Sequence, residues 1–216
     1  MENITIETLP QLFESVAQVM ADNAEHLCEM DAKMGDGDLG LTMRKGFAAL
    51  PDILRELDEP DLGRRLAKAG MKMSSVVPST MGTLMSSGIM EGGKRLAGKE
   101  AVGPQELADF LEGYAAGIQK RGKCQRGDRT VLDSVGAAAD AARTAAGQSG
   151  ATLADVARAA LKGAEEGVEA TRSMTPKYGK AAVFASQAIG VEDQGAVAGK
   201  LMVQGLAQGI CGKEAL

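Results

Sequence analysis

The chain has 216 residues, enough for one well-buried core, and no Pro- or Ser-rich linker divides it, so a single domain over 1–216 is expected. Its 24 basic and 29 acidic residues give a net charge of −5, and two Tyr, four Phe and no Trp leave little to stack on bases, which argues against nucleic-acid binding. No apolar run of about 18 residues is present to span a membrane, and the start Met1-Glu2-Asn3-Ile4 lacks the basic and apolar parts of a signal peptide, so the expected location is cytoplasmic.

Apolar residues recur at helical spacing through Leu9, Leu12, Phe13, Val16, Val19, Met20 and Leu27, predicting a first helix that runs into an Asp-rich loop. A second helix begins after Gly40 with the stripe Phe47, Leu50, Ile53, Leu54 and Leu57, and is stopped near Pro60. A third runs from about Asp61 through Leu66, Ala69 and Met73. Ser74 to Thr83 reads as a break, because Pro78 disfavours helix at Val77, while Ser79 and Thr80 can cap the helix that carries Leu84 to about Arg95.

Gly103-Pro104 opens the next helix, with Leu107, Phe110, Leu111, Tyr114 and Ile118 on its buried face. The polar loop Arg121 to Arg129 precedes an Ala-rich helix from Thr130 to about Ala146, and Thr152 begins another with Leu153, Val156, Ala160, Leu161, Ala164 and Val168 on one face. After the turn Thr175 to Gly179 come a short helical piece, a Gly190 to Gly195 loop and a last helix through Leu201, Met202 and Leu206. No period-two pattern survives, so the expected fold is all-α, about eight antiparallel amphipathic helices in a bundle or barrel. The twelve Met serve as core gap-fillers. Cys28, Cys124 and Cys211 have no C-x-x-C spacing and read as reduced structural thiols. The single histidine, His26, has no nearby soft ligand except Cys28 and reads as a surface residue.

Chemistry concentrates in Asp31-Ala32-Lys33-Met34-Gly35-Asp36-Gly37-Asp38-Leu39-Gly40. Three carboxylates held together repel by roughly 4 kcal/mol per pair at ~4 Å and an effective dielectric of ~20, a cost that a cation removes. The run lacks the residue order and closing Glu of a twelve-residue calcium loop, so Mg²⁺ carrying a phosphate ligand is favoured over an all-protein Ca²⁺ cage. The alternative is a capped turn without metal. Alternate connections of an up-and-down helical domain fall at one end, so 31–42, 74–83, 121–130 and 175–195 can gather around one nucleotide. A nucleoside diphosphate adds about three negative charges to the three carboxylates, and two divalent cations offset most of that total. Backbone N–H groups of Gly40, Leu41 and Thr42, and of Ser79 and Thr80, sit at helix starts where phosphate binds. Lys180 adds positive charge to a phosphate or is an ordinary solvated lysine. Asp193 with Gly195 holds a ribose or amide, or simply forms a turn. Gly127-Asp128-Arg129-Thr130 reads as a helix start capped by Asp128, compatible with lining the site.

At these residues the sequence resembles the nucleotide-binding L subunit of bacterial dihydroxyacetone kinases, found also as the C-terminal domain of single-chain dihydroxyacetone kinases. Asp31 with Gly35-Asp36-Gly37-Asp38 resembles the family's D-x-x-x-G-D-G-D metal loop. Supporting elements are Met81-Gly82-Thr83, Gly127 to Asp133, Ala170 to Met174, and Gly179-Lys180-Ala181 running to Asp193-Gln194-Gly195-Ala196. The resemblance implies an eight-helix barrel in which Asp31, Asp36 and Asp38 bind two Mg²⁺ and act in catalysis through them. It implies ADP or ATP contacts at Leu39, Gly40, Leu41, Thr42, Ser79, Thr80, Gly122, Val131, Lys180, Asp193 and Gly195. It also implies a separate K-like subunit that holds the ketose through its own histidine, consistent with His26 lying outside every motif. A phosphoenolpyruvate-dependent phosphocarrier is a further implied partner, and a homodimer is left open.

The chain departs from the family where Leu39 replaces His, Ser74 to Thr80 replace a Gly-Gly-Ala-Ser-Gly-Pro break, Lys180 replaces Arg and Gln194 replaces Pro. These changes point to a divergent branch acting on dihydroxyacetone or a related triose or tetrulose. The competing expectations are a non-catalytic nucleotide-sensing module and the nucleotide domain of a fatty-acid kinase system.

Overall fold

The computed structural model describes residues 2–184 and 188–215, the side chains of Lys180, Phe184 and Ala215 excepted. Nine α-helices lie among the described residues: α1 (Leu9–Asp22), α2 (Ala24–Ala32), α3 (Leu39–Glu56), α4 (Leu62–Val76), α5 (Thr80–Arg95), α6 (Pro104–Gly122), α7 (Val131–Ala146), α8 (Leu153–Ala170) and α9 (Gln194–Cys211). The fold is all-α, as expected. The extended pairing among the described residues is the isolated bridge between Ile4 and Val102.

Side chains that compete for backbone groups set the helix starts. Asp61 accepts from the Arg64 N–H at 2.7 Å, Ser79 from Gly82 at 3.0 Å, and Asp193 from Ala196 at 2.8 Å. Thr130 with Asp133 and Thr152 with Asp155 form reciprocal capping boxes. The break expected at Ser74 to Thr83 is therefore shorter, since α4 continues to Val76 and Ser79 starts α5 at Thr80. The expected first helix is divided at Asn23, whose Nδ2 donates to the Val19 carbonyl at 2.8 Å and closes α1 there. Asp128 does not cap α7; Thr130 does, with its hydroxyl accepting from Leu132 at 3.2 Å.

Eight of these helices close a ring in chain order, α1 against α3, then α4 through α9, with α9 returning to α1. The short α2 packs mainly on α3. One hydrophobic cluster draws residues from all nine helices, including Phe13, Leu27, Phe47, Leu66, Met85, Tyr114, Val135, Val156 and Met202. Burying each large side chain is worth about 1.5–3 kcal/mol relative to exposure, so closure of the ring, more than helix propensity, holds the helices. Met20, Met43, Met73, Met85 and Met202 are wholly buried, as gap-fillers should be. Cys28, Cys124 and Cys211 are free thiols and His26 is exposed on α2. No helix among the described residues is long and apolar enough to cross a membrane.

This topology positions the site. The connections α2–α3, α4–α5, α6–α7 and α8–α9 alternate around the ring and converge on one cavity. The apolar contacts of Ile4, Phe13, Val102 and Phe110 enclose only a void of about 20 Å³.

Candidate functional site

The acidic loop is shaped around Asp31, which stays within α2 and is only 8% exposed. After Ala32 the chain tightens, with the Met34 N–H donating to the Asp31 carbonyl at 3.1 Å. A Cβ at Gly35 would lie 2.1 Å from Asp31 Oδ1, so only glycine lets the loop pass this close to the carboxylate. Gly37 adopts φ +78°, a left-handed conformation natural to glycine, and from it donates its N–H to Asp31 Oδ2 at 2.9 Å. Asp38 then occupies the N-cap position of α3, yet its side chain makes no capping hydrogen bond. A capping Asp normally contributes about 1 kcal/mol. Here the carboxylate joins the others instead: Asp31, Asp36 and Asp38 each bring a carboxylate oxygen to within 4.8 Å of the other two. Asp36 and Asp38 are exposed while Asp31 forms the buried wall. An oxygen-only cluster open on one side fits Mg²⁺, which binds through a few carboxylates and keeps positions for water and phosphate.

Beside this cluster lies a cavity of about 350 Å³, within the range that holds small ligands. Of the residues expected to bind nucleotide, Leu39, Thr42, Ser79, Thr80, Val131, Asp193 and Gly195 line it together with the three aspartates. Gly40, Leu41 and Gly122 are not among the lining residues. Gly40 lies against α2, where a Cβ would stand 1.8 Å from the Ala24 carbonyl oxygen; its glycine permits helix packing. Leu41 points outward and is 52% exposed. Gly122 is the last residue of α6, with Cys124 and Leu84 as its near neighbours. The Lys180 side chain lies outside the described residues.

The helix starts offer a backbone donor set shifted by one residue from the one the sequence implied. The Thr42 N–H is bonded to the Asp38 carbonyl at 3.0 Å and the Ser79 N–H to the Val77 carbonyl at 2.8 Å. The groups that precede the first intrahelical bond are those of Leu39, Gly40 and Leu41 on α3 and of Thr80 and Met81 on α5. Thr42, Ser79 and Thr80 add hydroxyl-bearing side chains to the same wall.

The opposite wall is built by a network that the sequence did not disclose. Arg129 is 2% exposed and adopts φ +59°, a conformation that costs a non-glycine residue about 1–2 kcal/mol. Its guanidinium pairs with Asp193 at 3.3 Å and donates to the carbonyls of Val191 at 2.9 Å, Glu192 at 3.3 Å and Ala188 at 3.4 Å. Asp193 in turn caps α9 and receives its own fix from a backbone donation to the Thr171 hydroxyl at 2.9 Å. Burial pushes the Asp193 carboxyl up, to about 6, against the pull of the Ala196 N–H and Arg129.

Asp133 accepts from the N–H groups of Gly127 at 2.5 Å and Thr130 at 2.7 Å, fixing the α6–α7 connection. Asp128 pairs with Lys177 at 2.5 Å, which holds its carboxyl below the usual range and raises the lysine. The Tyr178 hydroxyl donates to the Lys123 carbonyl at 2.8 Å, and its ring joins the cavity lining with Met81 and Leu84. The scarcity of aromatic residues was the available signal for Tyr178; nothing local marked Arg129 as buried.

A model of the DAK2 domain matches residues 33–208. The chain is 27% identical to the PEP-dependent dihydroxyacetone kinase, ADP-binding subunit DhaL of Escherichia coli strain K12, over 88% of this chain and 90% of that protein. It is 28% identical to the L-erythrulose 1-kinase of Mycolicibacterium smegmatis, over 91% of this chain but only 34% of that protein. The crystal structure of the dihydroxyacetone kinase from C. freundii in complex with AMP-PNP and Mg²⁺ superposes with a TM-score of 0.68 at 25% identity, covering 92% of this chain and 33% of that chain. The chain thus spans nearly all of one relative and about a third of the other two.

Proposed function

The chain belongs to the DAK2 domain family, and on that premise we propose that it is the nucleotide- and Mg²⁺-binding phosphotransferase module, a single domain over 1–216, of a dihydroxyacetone-type kinase. The observation that carries the reading is the convergence of Asp31, Asp36 and Asp38 within 4.8 Å at the edge of a nucleotide-sized cavity.

In this reading Asp31, Asp36 and Asp38 hold two Mg²⁺. Held by these carboxylates, the metal would supply positive charge to the phosphate oxygens during phosphoryl transfer. The N–H groups at the starts of α3 and α5, with the Thr42, Ser79 and Thr80 hydroxyls, bind phosphate oxygens and fix their direction. Met81, Leu84, Val131 and Tyr178 offer an apolar face to the base, and Asp193 to Gly195 close the far side. Lys180 is assigned to a phosphate. Among this chain's histidines only His26 exists, exposed and outside the site, so ketose capture falls to a K-like partner subunit. The module acts in the cytoplasm on dihydroxyacetone or a related triose or tetrulose; the likeness to an erythrulose kinase supports including the tetrulose.

Two donors fit the same site: ATP that exchanges freely, or resident ADP recharged by a phosphoenolpyruvate-dependent carrier. The altered residue Leu39, which supplies backbone but no polar side chain, favours exchange. The test is reconstitution with a K-like ketose-binding subunit, using dihydroxyacetone or erythrulose and either ATP or phosphoenolpyruvate with its carrier proteins. Ketose phosphate formed only when both subunits are present supports the reading. Consumption of neither donor with any triose or tetrose sinks it.

A further inference from the structure

Met34 is the one large apolar side chain between Asp31 and Asp38, and it is only 4% exposed. It does not join the main core. It forms a second hydrophobic cluster with Ala181 and Ala188, against which Val191 packs, so the acidic loop is seated on the α8–α9 connection. On the loop side, the Met34 N–H is tied to the Asp31 carbonyl at 3.1 Å. The connection has anchors of its own. The Arg172 carbonyl accepts the Gly190 N–H at 2.8 Å, the Arg172 guanidinium donates to the Gly190 carbonyl at 2.9 Å, and Arg129 holds the carbonyls of Ala188, Val191 and Glu192. Both halves of the cluster reach the cavity, since Met34 and Ala181 line it beside the three aspartates.

A satellite cluster of this size is a small contact beside the main core. One half of it belongs to a loop whose three carboxylates repel one another until a cation joins them. The arrangement that gathers the carboxylates is the same one that seats Met34 on the connection. Anything that favours one therefore favours the other, and such a coupling acts equally in both directions. We propose that Met34 is a positioning residue that couples cation binding at the acidic loop to the seating of the α8–α9 connection beside the cavity. This rests on the metal-nucleotide reading above. It also means that the cation helps to set Tyr178 and Gly179, which the same connection contributes to the cavity wall.

The test uses Met34→Ala and, from the connection side, Val191→Ala, a position not among the cavity-lining residues. Met34→Leu keeps an apolar side chain of similar volume. Mn²⁺ alone is the probe, its free fraction read by electron paramagnetic resonance. Hydrogen exchange follows the Gly190 and Val191 amides, which bond to the Arg172 and Ala188 carbonyls. Met34→Ala is expected to bind Mn²⁺ about tenfold more weakly than the natural chain, Val191→Ala to change in the same direction by less, and Met34→Leu to bind as the natural chain does. Mn²⁺ should slow exchange at both amides in the natural chain and in Met34→Leu, but not in Met34→Ala. A merely structural Met34 would lower the metal-free melting temperature and leave that response in place. Unchanged Mn²⁺ affinity in the alanine variants overturns the proposal, as does an exchange response that is missing from the natural chain or persists in Met34→Ala. If Met34→Ala does not fold, Val191→Ala decides: natural Mn²⁺ affinity there overturns the coupling. Failure of the natural chain itself to bind Mn²⁺ overturns the parent reading, whereas unaffected variants beside a binding natural chain overturn this one alone.

Discussion

Gly35 approaches Asp31 so closely that a Cβ on the glycine would stand 2.1 Å from Oδ1 and 2.7 Å from Cγ of the aspartate. The acidic loop therefore closes only around a residue without a side chain, and the carboxylate is held from the other side by Gly37. Asp31 is the buried member of the cluster, so its placement decides where the other two carboxylates converge.

Gly35→Ala should displace the Asp31 carboxylate and weaken Mn²⁺ binding by about tenfold or more, as loss of ligand orientation generally does. The helices should persist, since the loop carries none of the main hydrophobic cluster apart from Leu39 at its end. Circular dichroism checks the second point and Mn²⁺ titration the first. Unaltered metal affinity in a folded variant would contradict the geometry.

The Arg129–Asp193 pair should behave as a buried unit. Arg129→Met leaves Asp193 without its cation and removes the Arg129 donor from the carbonyls of Ala188, Val191 and Glu192, and is expected to cost about 3–5 kcal/mol in urea unfolding. Adding Asp193→Asn, which can still cap α9, should restore part of that loss. Strictly additive costs would show that the two side chains do not depend on each other. Arg129→Lys is not expected to rescue, because an ammonium cannot reach a carboxylate and three carbonyls in the fixed fork of a guanidinium.

The strap from Met174 to Gly179 is tied to the α6–α7 connection by Asp128 with Lys177, and its pH range follows from their shifts. Asp128 is held below its ordinary 3.8 by Lys177 first and by the Gln125 N–H second, so its contribution is complete above 3.8 and is lost as pH falls through the lowered value. Lys177 is raised above its ordinary 10.5 by Asp128, so its contribution is complete below 10.5 and is lost as pH rises through the raised value. The Tyr178 ring, one residue on, should shift its NMR signal in strong acid, as Asp128 is protonated. An acid shift of equal size in the variant without the lysine would refute the assigned anchor. Lys177→Met should abolish the acid shift.

Much of the site was legible because its chemistry is local. Asp31, Asp36 and Asp38 lie close enough in sequence to converge, and Ser79 and Thr152 mark helix starts by residue type. The alternation of connections around a helical ring then brings four separated loops to one cavity. What escaped depends on contacts that residue type and periodicity do not show. The apolar period runs on past Asn23, and only that side chain's bond to Val19 reveals the break. Arg129 stands at the end of the polar loop Arg121 to Arg129, and its burial depends on carbonyls 59 to 63 residues away. Helix-start N–H groups look alike in sequence, whereas Thr42 and Ser79 spend theirs on the backbone.

The central claim is that the aspartate cluster binds nucleotide through a divalent cation. Calorimetric titration of ADP into the protein, with Mg²⁺ and again with EDTA, tests it most directly. Binding should require Mg²⁺ and should vanish in Asp36→Asn while the circular dichroism spectrum stays helical. Tight ADP binding in EDTA, or tight Mg-ADP binding retained by Asp36→Asn, would contradict the account.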